Sequence, residues 1–327
     1  MTNTEKDKVA DAPLENWVYQ FLPKSIWPYA QLARWDRPIG WKLLLWPCLW
    51  SLALGSGFAL KNEPTQLQIL PLFVVWAIVF WLGAVAMRGA GCTYNDIVDV
   101  DIDEAVARTA SRPIPSGRVT KTKAAVFLGV QALFGLGCLL LLSLLGLFGG
   151  NINSFAIILG ISSLAIVALY PFAKRITDWP QLVLGLAFSW GALMGWAVIF
   201  GSLSPAPLLL YAGSILWVIG YDTIYAHQDR EDDALVGVRS TARLFGDKTK
   251  PALIILYFGT LFLFAAAFYQ ASASYPAYIG LALGFSHMLR QIKRLEIEDA
   301  DNCLALFKSN STFGWIIFIG LVVAIFI

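Results

Sequence analysis

Asn95, Asp99 and Asp103 recur every four residues in the run Asn95-Asp96-Ile97-Val98-Asp99-Val100-Asp101-Ile102-Asp103, and a second acidic run extends from Asp222 to Asp233. At about 100° per residue, positions i, i+4 and i+8 keep to one side of a helix, so three oxygen ligands line one stripe. Asp222, Asp229 and Asp233, at i, i+7 and i+11, return by the same arithmetic to within about 20° of a common direction. Carboxylates this dense repel one another unless a positive charge sits among them. Hard oxygen donors suit Mg²⁺, which takes one or two protein carboxylates and completes its shell with water and phosphate oxygens. A diphosphate bridged by Mg²⁺ is the guest such stripes fit. Asp96 and Asp232 point away from the stripes, toward a second metal or a cap. The competing reading, solvated loop charges, is disfavoured by the helical spacing and by its occurring twice.

A basic loop follows each acidic run: Arg108-Thr109-Ala110-Ser111-Arg112-Pro113-Ile114-Pro115-Ser116-Gly117 after the first, Gly237-Val238-Arg239-Ser240-Thr241 after the second. The order helix, carboxylates, basic loop is therefore a faint internal echo. Pro113, Pro115 and Gly117 end any helix there, so this polar segment is expected to fold back over the membrane face as a cap that excludes water. Tyr170 and Lys174 are four apart and share a face if the helix persists past Pro171; the alternative is interfacial anchoring. Arg88 lies inside an apolar run, where a cation should face a cavity or a partner unless it snorkels to the surface. His227 and His287 have no spacing that suggests a metal pair.

These groups must be carried by membrane helices. The chain of 327 residues is 57% hydrophobic and 14% charged, with mean hydropathy +0.64, against roughly 25% charge in soluble proteins. Apolar runs of spanning length fall at roughly 39–60, 69–92, 124–147, 152–171, 180–201, 205–226, 251–271, 275–292 and 311–327, about nine helices in an all-α membrane protein. Nearly every ionisable residue then falls on one side, Lys61 and Glu63 excepted, and by the positive-inside rule that side and the N-terminus face the cytoplasm. Residues 1–36 read as a cytoplasmic or interfacial segment ahead of an intramembrane domain over 37–327. The first 30 residues mix Lys6 and Lys8 with Glu5, Asp7, Asp11 and Glu15, resembling neither a secretory signal nor an Arg-rich transit peptide, so a bacterial inner membrane is expected rather than a mitochondrial one. Cys48, Cys92, Cys138 and Cys303 have no metal-ligand spacing and read as packing residues. A net charge of +2 with dispersed basic residues excludes a nucleic-acid partner.

Together with Asp36-Arg37-Pro38-Ile39-Gly40 at the opening of the first span, the box from Asn95 to Asp103, Arg112-Pro113-Ile114-Pro115-Ser116-Gly117, the Tyr170/Lys174 pair and Tyr221 through Asp233, nearly the whole chain resembles the UbiA superfamily of intramembrane prenyltransferases. The resemblance implies helices around a central cavity and a reaction that joins an isoprenoid chain to an aromatic ring. Its implied partners are an all-trans polyprenyl diphosphate and 4-hydroxybenzoate. It implies Mg²⁺ held by Asn95, Asp96, Asp99, Asp103, Asp222, Asp229 and Asp233, with Asp99, Asp229, Lys174 and Tyr170 catalytic. Arg108, Arg112, Lys174 and Arg239 would meet the diphosphate, and Arg37 or Arg88 the acceptor carboxylate, since a guanidinium offers bidentate geometry. Met87-Arg88-Gly89-Ala90-Gly91-Cys92 looks like the alphaproteobacterial and mitochondrial branch. Ser189 stands where many such relatives have Asn and is given no role. The rivals are a family member with another acceptor and a secondary transporter with intramembrane carboxylates; against the latter, the acids cluster at one membrane face.

Overall fold

The computed structural model describes residues 9, 12–13, 15–62, 68–105, 109–145, 151–230 and 237–327, and these are helical with short connections. Eight helical segments are long and apolar enough to cross a bilayer: Ile39–Asn62, Ile69–Val98, Lys121–Leu144, Ser154–Ile176, Pro180–Phe200, Pro205–Ala226, Thr241–Gln270 and Ala300–Ile325. The ninth expected span exists as the helix Tyr275–Arg294. Its last two turns carry Ser286, His287, Arg290, Gln291, Lys293 and Arg294, which pull its hydropathy below that of the others. The expected span at 180–201 is two helices, Pro180–Ser189 and Gly191–Phe200, meeting at Trp190.

The sequence sets most helix ends. Asn153 accepts a hydrogen bond from the Ala156 N–H at 3.0 Å and donates to the Ala197 carbonyl at 2.8 Å, so one side chain caps Ser154–Ile176 and ties it to Gly191–Phe200. Pro180 and Pro205 occupy first helical positions, where a missing N–H costs nothing. Gly201 ends its helix at φ 64°, a conformation open to glycine without penalty.

The chain divides into two compact units, Met1–Lys42 with Trp81–Cys138, and Leu43–Phe80 with Leu139–Ile327. In the first, Leu32, Val100, Ile114, Val119 and Ala124 form a buried cluster flanked by Tyr29, Ile97 and Phe127. Ile114 and Val119 belong to the polar segment after the first acidic run. Their burial, with the turn bond from the Val119 N–H to the Pro113 carbonyl at 2.9 Å, draws that segment back against the helix ends that bear the acids.

In the second unit the core is aromatic. Trp50, Trp217, Phe264 and Phe313 pack with Trp50 centroids 5.0, 5.4 and 5.8 Å from the other three. Each indole N–H is satisfied, Trp50 by the Gly314 carbonyl at 3.0 Å and Trp217 by Asn310 Oδ1 at 2.9 Å, as a bilayer interior requires. Gly280 and Gly320 let Tyr275–Arg294 and Ala300–Ile325 touch backbone to backbone: a Cβ on Gly320 would stand 2.9 Å from the Gly280 Cα, the close approach that small residues permit between membrane helices.

The topology is directly testable, because all four cysteines are buried and Ser116, Lys248, Asn62 and Ser202 are exposed. Single cysteines at Ser116 and Lys248 are expected to react with an impermeant thiol reagent from one side of the membrane, and cysteines at Asn62 and Ser202 only from the other. Labelling of Ser116 and Asn62 from the same face overturns the arrangement.

Candidate active site

The helix Ile69–Val98 runs past the apolar stretch and carries Asn95 and Asp96; Asp99 is the bend where Val100–Ala105 begins. Helical bonding survives the bend, since the Asp99 N–H donates to the Asn95 carbonyl at 2.9 Å and the Asp103 N–H to the Asp99 carbonyl at 2.8 Å. The fourfold stripe is therefore kept. Asp96, Asp99 and Asp103 are all buried, at 0%, 1% and 5% exposure, a placement that demands countercharge.

Two arginines supply it. Arg34 grips Asp96 with both terminal nitrogens, Nη1 to Oδ2 at 2.9 Å and Nη2 to Oδ1 at 2.6 Å. Arg112 Nη1 reaches Asp96 Oδ1 at 3.3 Å and both oxygens of Asp103, at 3.1 and 2.9 Å. Asp96, off the stripe by its helical angle, thus meets guanidinium groups, where a second metal or a cap was the expectation. Arg112, expected at a diphosphate, is seated between two carboxylates. Burial pushes the Asp103 carboxyl up while Arg112 draws it down, and Asp96 and Asp99 push it further up.

Sequence reasoning missed Arg34. It is buried and holds φ 57°, a left-handed conformation that costs a non-glycine residue energy; its bidentate bond to Asp96 is what the backbone is bent to reach. The available signal was an unmatched buried acid off the stripe, but the separation of 62 positions between the partners hides the pairing from any local pattern.

Arg37 stacks its charge on its neighbour, Nε to Asp36 Oδ1 at 3.2 Å. Arg88 lies along the start of Ile39–Asn62, where a Cβ on Gly40 would come 2.5 Å from its Nε. Gly40 is thus the space through which Arg88 passes.

In the second unit Ser154–Ile176 persists through Pro171, which puts Tyr170 and Lys174 on one face, both half-buried. The Arg239 N–H donates to the Lys174 carbonyl at 3.0 Å and Arg239 Nη1 to the Ile176 carbonyl at 3.2 Å, so the loops bearing these two cations are joined. Asp222 is half-buried in the last turns of Pro205–Ala226, and Asp229 ends the short turn His227–Asp229. Beside them, Thr223 and Thr241 hydroxyls share a 2.6 Å hydrogen bond. Burial, with Arg230 nearby, holds His227 down to about 4, so its imidazole is neutral near pH 7 and adds no charge to the acids. Arg108, Asp232, Asp233 and the Asp229 side chain lie outside the described residues.

Among the described residues no three of His, Cys, Asp and Glu stand together as a metal-holding group; the arginines between Asp96 and Asp103 account for this in the first run. The donors that the stripes do offer are amide and carboxylate oxygens without thiolate or imidazole, a set that fits Mg²⁺ in kind.

Residues 44–323 match the model of the UbiA prenyltransferase family. The chain is 44% identical over 310 residues, 94% of its length and 71% of the relative's, to a protein of Arabidopsis thaliana named 4-hydroxybenzoate polyprenyltransferase, mitochondrial. It is 42% identical over 308 residues to the Homo sapiens protein of that name, covering 93% of this chain and 77% of the other. Among solved structures, a UbiA homologue from Aeropyrum pernix K1 superposes with TM-score 0.66 at 27% identity, over 84% of this chain and 97% of its own. One from Archaeoglobus fulgidus, described as bound to DMAPP and Mg²⁺, gives 0.64 at 18% identity over 91% and 99%. The mitochondrial relatives overturn the expected bacterial inner membrane. That expectation rests on first residues unlike an Arg-rich transit peptide, and one-sided Lys and Arg orient a chain in either membrane without telling the two apart.

Proposed function

We propose a polyprenyl transfer to 4-hydroxybenzoate for this chain, which belongs to the UbiA prenyltransferase family. It moves an all-trans polyprenyl group from its diphosphate to the ring carbon ortho to the hydroxyl of 4-hydroxybenzoate, giving 3-polyprenyl-4-hydroxybenzoate and diphosphate in ubiquinone biosynthesis. The observation that carries the reading is 44% identity across 94% of the chain to an enzyme so named. The setting is the mitochondrial inner membrane, crossed many times.

In chemical terms the allylic carbon–oxygen bond to the diphosphate breaks, a carbon–carbon bond forms at the ring, and the ring loses a proton. Asn95, Asp99 and Asp103 on one stripe and Asp222, Asp229 and Asp233 on the other would supply the oxygen ligands for Mg²⁺. When bound, the metal neutralises the diphosphate and makes it a better leaving group. Lys174 and Arg239, joined through their backbones, stabilise departing phosphate oxygens as fixed cations, with Arg108 as a further phosphate partner. Tyr170 shares the Lys174 face. A folded cap over the polar residues keeps water from an allylic cation. Arg37 and Arg88 bind the acceptor carboxylate, and the catalytic domain is residues 37–327.

Purified protein supplied with 4-hydroxybenzoate and a panel of polyprenyl diphosphates is expected to yield the 3-prenylated acid by mass spectrometry. Phenol lacks the carboxylate and leaves a cation unpaired, at a cost on the order of a few kcal/mol, so it should be a far poorer acceptor. Arg37→Ala or Arg88→Ala should narrow that gap by harming only the carboxylated substrate. Equal use of both acceptors by the unaltered protein refutes carboxylate recognition.

A further inference from the structure

The junction of Tyr275–Arg294 and Ala300–Ile325, joined to the second acidic run through the Arg230–Glu298 pair, holds a cavity of about 560 Å³ lined by Arg290, Lys293, Arg294, Glu296 and Asn302. The three cations are three and four positions apart and so crowd one face of the last helical turn. All are exposed, and among the described residues none is in an ion pair. Carboxylates are close at hand in the sequence, but Glu298 is taken by Arg230 at 3.1 Å and Asp299 accepts the Asn302 N–H at 2.9 Å as a helix cap. Glu296 is thus the one carboxylate among the cavity's lining residues.

The wall is fixed rather than loose. Asn302 Nδ2 donates to the Arg294 carbonyl at 3.2 Å, and its Oδ1 accepts the Glu296 N–H at 3.1 Å, so one side chain locks the turn at both ends. Along the first half of the same helix, Tyr275, Ile279 and Leu283 are exposed at 62%, 53% and 56%. Spaced by four and followed by exposed Ser286, they form an apolar stripe that drifts only about 60° before it reaches Arg290. From Ile279 to Arg290 is about 16 Å along the axis, within the reach of an acyl chain.

We propose that this cavity binds the headgroup of an anionic phospholipid, its phosphate meeting Arg290, Lys293 and Arg294 while an acyl chain lies along Tyr275, Ile279 and Leu283. A guanidinium pair and an ammonium supply bidentate and point-charge partners for phosphate oxygens, and basic pockets between membrane helices recognise such headgroups. A soluble phosphate would use the cations but gain nothing from the stripe, which is why a lipid is the occupant.

The test is lipid retention by the full chain. Detergent-purified protein is mixed with dioleoyl phosphatidylglycerol or dioleoyl phosphatidylcholine, and bound lipid is counted by native mass spectrometry. Retention of phosphatidylglycerol is expected to exceed that of phosphatidylcholine on the order of tenfold or more, given the contribution of each cation near an anionic surface. Arg290→Gln/Lys293→Gln/Arg294→Gln should bring the ratio to about one. These side chains are exposed, and unchanged prenyl transfer by the variant shows that it folds. Ile279→Asn/Leu283→Asn should weaken phosphatidylglycerol retention as well. Equal retention of both lipids, or a preference that survives the triple variant, overturns the proposal. Displacement of the lipid by millimolar inorganic phosphate, with no effect of the stripe variant, assigns the cavity to a free anion and overturns the lipid reading.

Discussion

Asp99→Ala is expected to abolish prenyl transfer, a loss of at least about 10³-fold, the scale reached when one preorganised electrostatic partner of a reacting group is removed. Asp99 stands at the bend between two helices, the middle member of the first stripe, and is 1% exposed. Its backbone carries helical hydrogen bonds on both sides, which run the helix through the bend. The loss should therefore appear in turnover, with the protein still folded and inserted. Asp229→Ala should behave alike. Treating membranes with EDTA should give the same silence in the unaltered chain, and Mg²⁺ should lift it there but not in either variant. Transfer that proceeds without a divalent cation removes the metal from the mechanism.

How much of this was legible beforehand depends on the range of each signal. The stripe at Asn95, Asp99 and Asp103 and the Tyr170/Lys174 face are helical periodicities, complete within nine residues, and the helices bear them out, Pro171 included. The spans were legible because a bilayer demands long apolar runs. The apolar run at 275–292 is a helix, Tyr275–Arg294, but its cationic end falls short of the apolarity of the other eight. The break at Trp190 was not legible, because both halves are apolar and no proline or glycine pair marks it. Nor was the partnership of Arg34 with Asp96, which has no local spacing and rests on a backbone conformation seen only once the chain is folded. The choice of membrane was not legible either: the mixed charges of the first 30 residues and the one-sided Lys and Arg fit both settings, and it is the mitochondrial relatives that decide against the bacterial one.

Arg34→Ala should destabilise the fold by about 3–5 kcal/mol, the cost of stranding a buried carboxylate. Asp96 is wholly buried and takes two of its hydrogen bonds from Arg34 at 2.9 and 2.6 Å; Arg112 at 3.3 Å is left to serve both Asp96 and Asp103. Arg34→Lys should recover only part, since an ammonium cannot span both oxygens. Arg34→Met/Asp96→Leu removes both charges and should recover most of the stability, as swapping a buried pair for apolar groups often does. The measurement is the fraction of protein that stays monodisperse in detergent across a heating series. If Arg34→Ala survives heating as well as the parent chain, the guanidinium is not sustaining that carboxylate.

The arginine seats at Asp96 and Asp103 also bear on the order in which the molecule becomes competent. Small zinc domains cannot fold until the ion arrives, so the ion is part of their architecture. Here Arg34 and Arg112 already offset the charge of Asp96 and Asp103 from within the chain. Synthesis and insertion can therefore be finished with these two acids neutralised from within the chain. A fold assembled this way carries its own countercharge and keeps its place in the membrane without waiting for an ion.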